Sequence, residues 1–148
     1  MAVIPARIYR RVEAALHHRG EARTKGLQRY QDAVDHATRI SSGLTERVQS
    51  STSGDRLERD VIRIAEASEA LDAAERWEKV FRRLDVYFAG QDEAKAAQLL
   101  YIEHLPQNVV AKKMFVDRQT VRRWRDSYVC HAALLAAEAG LIRMEDDE

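Results

Sequence analysis

Between Gln107 and Trp124 the chain reads QNVVAKKMFVDRQTVRRW, and its polar side chains are of types that hydrogen-bond to base edges and phosphates. With Val121 taken as inward and about 100° per residue, Gln119, Arg122, Arg123 and Asp126 fall on the outer face of one helix. Arginine pairs with guanine and glutamine with adenine through two hydrogen bonds each, so Gln119, Arg122 and Arg123 are the base-facing candidates. Arg118, Thr120 and Arg125 lie on the flanks of that helix, and Lys112 and Lys113 on the helix before it, where phosphate contact suits them. The simpler account is that any exposed helix face carries Arg and Lys, and spacing alone does not separate the two.

Two short helices joined by a tight corner must position these groups. Pro106 opens the first, which turns Val109, Val110 and Met114 inward. Ala111 stands where two crossing helices come closest, a place that requires a small side chain. Asp117 is placed to accept N–H groups from the first turn of the second helix. Val110, Ala111, Val116, Val121 and Trp124 are then the expected core of a helix-turn-helix. Phe115 occupies the corner, where glycine is usual. Either the turn avoids a positive φ or it stores strain, and the ring is free to pack beneath the turn as an extra core contact.

The chain has 148 residues, one domain's worth, and two prolines and six glycines favour helix almost throughout. The expected fold is all-α, with long N-terminal helices followed by a C-terminal helix-turn-helix. A single cysteine excludes an internal disulfide framework and suits a reducing cytoplasm. The N-terminus lacks the apolar run of a signal peptide, and no stretch of about 20 apolar residues is present to span a bilayer. Net charge is zero, but it is unevenly spread: residues 1–40 carry +4, 41–90 carry −2, 91–130 carry +2 and 131–148 carry −4. Between His104 and Arg125 there are six basic side chains and one acidic. A phosphate backbone feels the field within roughly 10 Å, so the local balance matters more than the sum.

Five segments are expected. Residues 1–40 form an N-terminal helical segment, with apolar stripes Ile8–Val12–Ala15–Leu16 and Leu27–Tyr30–Val34–Ala37–Ile40 and a weak point at Gly20. Residues 41–55, with five Ser, two Thr and two Gly, form a flexible linker. Residues 56–90 form one long helix capped by Asp55, bearing Leu57, Val61, Ile64 and Leu71, then Trp77, Phe81, Leu84 and Phe88, and stopped by Gly90. Residues 91–140 form the helix-turn-helix head, opened by a short helix that Asp92 caps. Residues 141–148 are an acidic tail ending in EDDE.

The stretch Leu99 to Val129, LLYIEHLPQNVVAKKMFVDRQTVRRWRDSYV, resembles the sigma-factor region-4 class of helix-turn-helix. Within that class it is similar to the ArpU and RinA families of phage transcription regulators, whose closing pattern is of the type LRYxEGLxxxxIAxxLxISRxTxYRW. Tyr101, Glu103, Leu105, Val110, Ala111 and Met114 stand at matching positions, as do Val116, Asp117, Thr120, Arg123 and Trp124. VEAALHHRGEARTKGLQRYQDAV is similar to the first helix of those families, and SGDRLERDVIRIAEA to the entry into their long helix. Phe115 departs from the corner glycine, and Asn108 stands where an acidic residue is common. The resemblance implies a cytoplasmic, sequence-specific DNA-binding regulator of late viral transcription that contacts double-stranded DNA and RNA polymerase. A homo-oligomer, with a dimer favoured, follows from the small interface that one such head supplies. Two other readings stay open: a phage small terminase subunit, which joins a helix-turn-helix to oligomerising helices for DNA packaging, and a helical protein-interaction module.

Catalysis finds little in the sequence. His17 and His18 point about 100° apart on a helix and cannot face one metal. Glu13, His17 and Glu21 share a face of a kind that is usually solvated, and Cys130 and His131 do not face each other. No Gly-rich phosphate loop or Ser/His/Asp arrangement occurs, so neither enzyme activity, cofactor nor metal is expected.

Overall fold

A computed structural model describes residues 4–44 and 52–144, and these are all-α, with no strand among them. The helices are α1 (Ala6–His17), α2 (Glu21–Leu44), α3 (Thr52–Tyr87), α4 (Asp92–Ala97), α5 (Gln107–Met114) and α6 (Arg118–Glu138). A wide π-type turn, Gln98–Ile102, continues α4 and closes with Glu103 N–H donating to the Gln98 carbonyl at 3.1 Å. The breaks at Gly20 and Gly90 use φ of 85° and 77°, angles that side chains disfavour.

The chain forms two compact units, one of residues up to Arg19 with those from Arg76 onward, the other Gly20–Glu75. The first is organised around α6, which packs on α1, α4 and α5. Val121, Val129, Ala132, Ala133 and Ala136 form its fully buried row, and the alanines let neighbouring helices approach closely. Against them lie Val12 and Leu16 of α1, Leu84 of α3 and Val110 of α5, each almost wholly removed from water. Burying such a side chain stabilises by about 1.5–3 kcal/mol. Through Ile8, Val12 and Leu16, α1 is therefore a structural part of the head, and the natural cut falls at Gly20, not at the end of residues 1–40. The C-terminal half of the α3 stripe behaves as its spacing predicts, with Phe81, Leu84 and Phe88 buried and Trp77 packed against them.

In the second unit α2 and the first part of α3 run antiparallel, with Gly26 against Leu71 and His36 4.0 Å from Asp60. A Cβ at Gly26 would lie 3.5 Å from the Leu71 backbone, a close approach that larger side chains would prevent. Ala33 and Ala67 are buried in this unit, as is Asp60. Leu27, Leu57 and Val61, expected inside, are instead 51%, 61% and 59% exposed. Buried and half-buried positions include 26, 30, 33 and 37 on α2 and 60, 64, 67 and 71 on α3, so Leu27, Leu57 and Val61 fall roughly 50–90° to one side of the contact. Small residues (Gly26, Ala33, Ala37 and Ala67) alternate there with Tyr30, Ile64 and Leu71.

Several local expectations change. Helix α3 starts at Thr52, so Asp55 lies inside its first turn, where its charge favours the helix dipole, and is not the cap. Gln91, not Asp92, holds the N-cap position of α4 and makes no side-chain cap bond. Of the Ser-rich stretch 41–55, residues 41–44 and 52–55 are helical, and the rest of that linker lies outside the described residues. Ile142, assigned to the acidic tail, is 4% exposed and belongs to the core, while the terminal EDDE lies outside the described residues.

The corner after α5 keeps the geometry that glycine normally serves. Phe115 has φ 56° and ψ 40°, and its ring is 95% exposed, so it does not pack beneath the turn. Val116 N–H donates to the Ala111 carbonyl at 3.0 Å and Phe115 N–H to that of Lys112 at 3.4 Å, the paired closure of a helix that ends on a left-handed residue. The sequence holds a second such residue that spacing did not single out: His104, with φ 55°.

Two substitutions test this packing. A left-handed non-glycine residue costs roughly 1–2 kcal/mol, and glycine returns about 0.4–1 of that by loosening the unfolded chain. Phe115→Gly therefore raises stability by about 0.5–1 kcal/mol in urea unfolding, and a loss of stability would contradict the strained corner. Leu16→Ala costs about 2–5 kcal/mol, whereas Leu27→Ala costs less than about 1, and the opposite order would place α1 outside the core.

Candidate nucleic-acid interface

The α5–α6 pair holds its polar face rigidly because its inner face is dry. Val110 and Val121 are fully buried, Ala111 is 6% exposed, and Met114, Val116 and Trp124 pack partly buried against the same core. All five residues expected to form the helix-turn-helix core thus lie in or against it. Asp117 caps α6: its Oδ1 accepts the Thr120 N–H at 2.9 Å and the Thr120 hydroxyl as well. These two donors hold the Asp117 carboxyl below the usual carboxylate range.

On the outer side, Gln119, Arg122 and Arg123 are exposed, as are Arg118, Lys112 and Lys113. Gln107, Arg118, Gln119, Arg122 and Arg125 line one open groove of about 410 Å³ that contains no carboxylate. Arginine forks and an amide thus converge on one concave strip, with donors that match guanine and phosphate oxygens and an amide that matches adenine. Arg123 also donates weakly to Thr120 Oγ1, at 3.4 Å, which holds it near the start of α6.

Two side chains are less free than their spacing implies. The Thr120 hydroxyl is committed to Asp117, so its role at the corner is to complete the cap. Arg125 is only 22% exposed in its side chain: its guanidinium lies 5.6 Å from the Tyr9 ring, 3.9 Å from Glu13 and 3.4 Å from Asp126. Its Nε is buried without a hydrogen-bond partner, so part of its charge serves the interior. Asp126, placed on the outer face by helical spacing, instead accepts the Tyr9 hydroxyl at 2.7 Å and is half-buried.

These contacts belong to a polar clamp between α1 and the rest of the head that spacing could not reveal. Tyr101 donates to Glu13 at 2.9 Å, and burial together with that carboxylate pushes the Tyr101 hydroxyl well above its ordinary pKa. Burial, then the bond to Asp126, does the same to Tyr9, so both phenols stay donors across ordinary pH. His17 stacks on His104 at 5.7 Å and meets the Tyr101 edge at 4.8 Å, and burial lowers its pKa. Glu13 is thereby occupied, and no group of three His, Cys, Asp or Glu among the described residues could hold a metal ion. His131 stacks on Tyr87 at 3.9 Å, away from Cys130, whose thiol is pushed up by burial. The only sequence signal for the clamp was the i, i+4 spacing of Tyr9 and Glu13; their partners lie about a hundred residues away.

No helix among the described residues is long and apolar enough to cross a membrane. Comparison of the chain with protein-family models, curated proteins and solved structures gives no match.

Proposed function

We propose that this chain is a sequence-specific DNA-binding transcription regulator of phage or prophage type. The observation that carries the reading is the groove of Arg118, Gln119, Arg122 and Arg125, free of carboxylates, on a helix whose other face is locked into the core. Gln119, Arg122 and Arg123 read base edges, while Arg118, Lys112 and Lys113 hold phosphates. Arg125 borders the same groove and stiffens it from beneath, and Thr120 secures the cap. The resemblance of Leu99–Val129 to sigma-region-4-like regulators supports a role at promoters and a contact with RNA polymerase. The chain acts in the cytoplasm as a dimer, and it is a binding protein without catalytic chemistry or cofactor.

Exposed Leu27, Leu57 and Val61 on the α2–α3 pair supply apolar surface for self-association. That same surface suits a ring, which is the form a small terminase subunit takes. Molar mass from light scattering separates a dimer from a ring of many copies.

The base-reading roles are tested on duplexes selected from a random-sequence pool. Arg122→Ala and Arg123→Ala each cost about 1–3 kcal/mol and relax preference at one base position. Lys112→Ala weakens all sequences alike and lowers the salt slope by about 0.9. Equal binding by wild type and the Arg122→Ala, Arg123→Ala double variant would leave α6 with a purely structural role.

A further inference from the structure

The second unit carries a charged groove that the head does not use. It lies between α2 and α3, encloses about 880 Å³ and is open along one side of the pair. Its lining includes Lys25, Arg29, Arg39, Arg59 and Arg63 against two carboxylates, Asp32 and Glu66, a balance of +3. The segment Gly20–Glu75 as a whole holds 8 basic and 11 acidic residues, a balance of −3. The groove is thus enriched in cations against the balance of the segment that forms it. Asp32 already accepts the Gln28 amide at 2.9 Å. Arg29, Arg59 and Arg63 are exposed and form no hydrogen bond or ion pair with other described residues, so their forks point into solvent. Lys25, which pairs with Glu21 at 3.4 Å, Arg29 and Arg39 stand along about 21 Å of α2 with Asp32 and His36 between them, a length over which duplex DNA presents roughly a dozen phosphates.

We infer that the groove between α2 and α3 is a second binding site, for the phosphodiester backbone of duplex DNA. The choice of DNA over another polyanion rests on the proposed DNA-reading role of α6. Arginine forks grip phosphate oxygens two at a time without reading sequence, so this site adds affinity and salt dependence but not specificity. The seam behind it, Gly26, Ala33 and Ala67, holds the two rows of cations at close spacing.

The test uses the full chain and a 40-base-pair duplex of mixed sequence, with the association constant followed against salt concentration. Arg29→Gln, Arg59→Gln and Arg63→Gln together lower the slope of log K against log salt by about 2–3, since each phosphate contact contributes roughly 0.9. The corresponding triple lysine variant keeps most of the slope, and removing equal charge at Arg82, Arg83 and Arg143 leaves it unchanged. A groove variant with the wild-type slope overturns the inference, as does an equal drop in the Arg82, Arg83 and Arg143 control. The Arg122→Ala, Arg123→Ala variant is run beside them. It is also compared on a duplex selected from the random-sequence pool. Loss of preference there, with an unchanged slope for the groove variant, overturns the groove and leaves the head standing. A lowered slope for the groove variant, with no loss of preference for the head variant, leaves the groove standing and the reading of α6 without support.

Discussion

The organisation of the head depends on one row of side chains along α6. Val121, Val129, Ala132, Ala133 and Ala136 are buried against α1, α4 and α5, which fixes the rotation of the helix about its axis. Once that row is dry, Gln119, Arg122 and Arg123 have no choice but to face water. The alanines matter as much as the valines, because they bring three helices close enough to exclude solvent. The Asp117 cap and the Phe115 corner then set where α6 begins. At the far end, Gly140 and the buried Ile142 close the chain back onto the core.

A second layer of control is electrostatic. The clamp of Tyr9, Glu13, Tyr101, Arg125 and Asp126 couples α1 to the base of the arginine-rich face. It uses buried phenols as donors and carboxylates as acceptors, and removing one partner would leave the others unsatisfied in a poorly solvated place. The arrangement also explains how a chain with no net charge can present strongly cationic surfaces. Acidic groups are drawn inward or to other faces, leaving the carboxylate-free groove at α6 and the cation-rich groove between α2 and α3.

Much of this was legible in the sequence, and the exceptions share a cause. Element positions followed from local signals: Gly20 and Gly90 as breaks, Asp117 as a cap, and the 3.6-residue recurrence of Phe81, Leu84 and Phe88. The outward direction of Gln119, Arg122 and Arg123 followed from the inward direction of Val121. Reading failed where the answer depended on a distant partner. Asp126 and Arg125 look solvent-facing until α1 arrives with Tyr9 and Glu13. The apolar stripes of α2 and α3 are right at Tyr30, Ala37, Ile64 and Leu71, which are half-buried, and wrong at Leu27, Leu57 and Val61, which are exposed. Gly26, Ala33 and Ala67 share the contact between these helices, and apolar periodicity gives small residues little weight. The φ of Phe115 is not legible from residue type, which does not reveal whether a backbone accepts strain.

The central claim is that the outer face of α6 reads DNA, and the most direct measurement exposes fragmented DNA from the source genome to the purified protein at about 150 mM salt. Retained fragments are sequenced beside those held by the Arg122→Ala, Arg123→Ala variant. The account predicts a shared short site upstream of a gene block, retained by the wild type and lost by the variant. Equal retention by both proteins, or none by either, would contradict it.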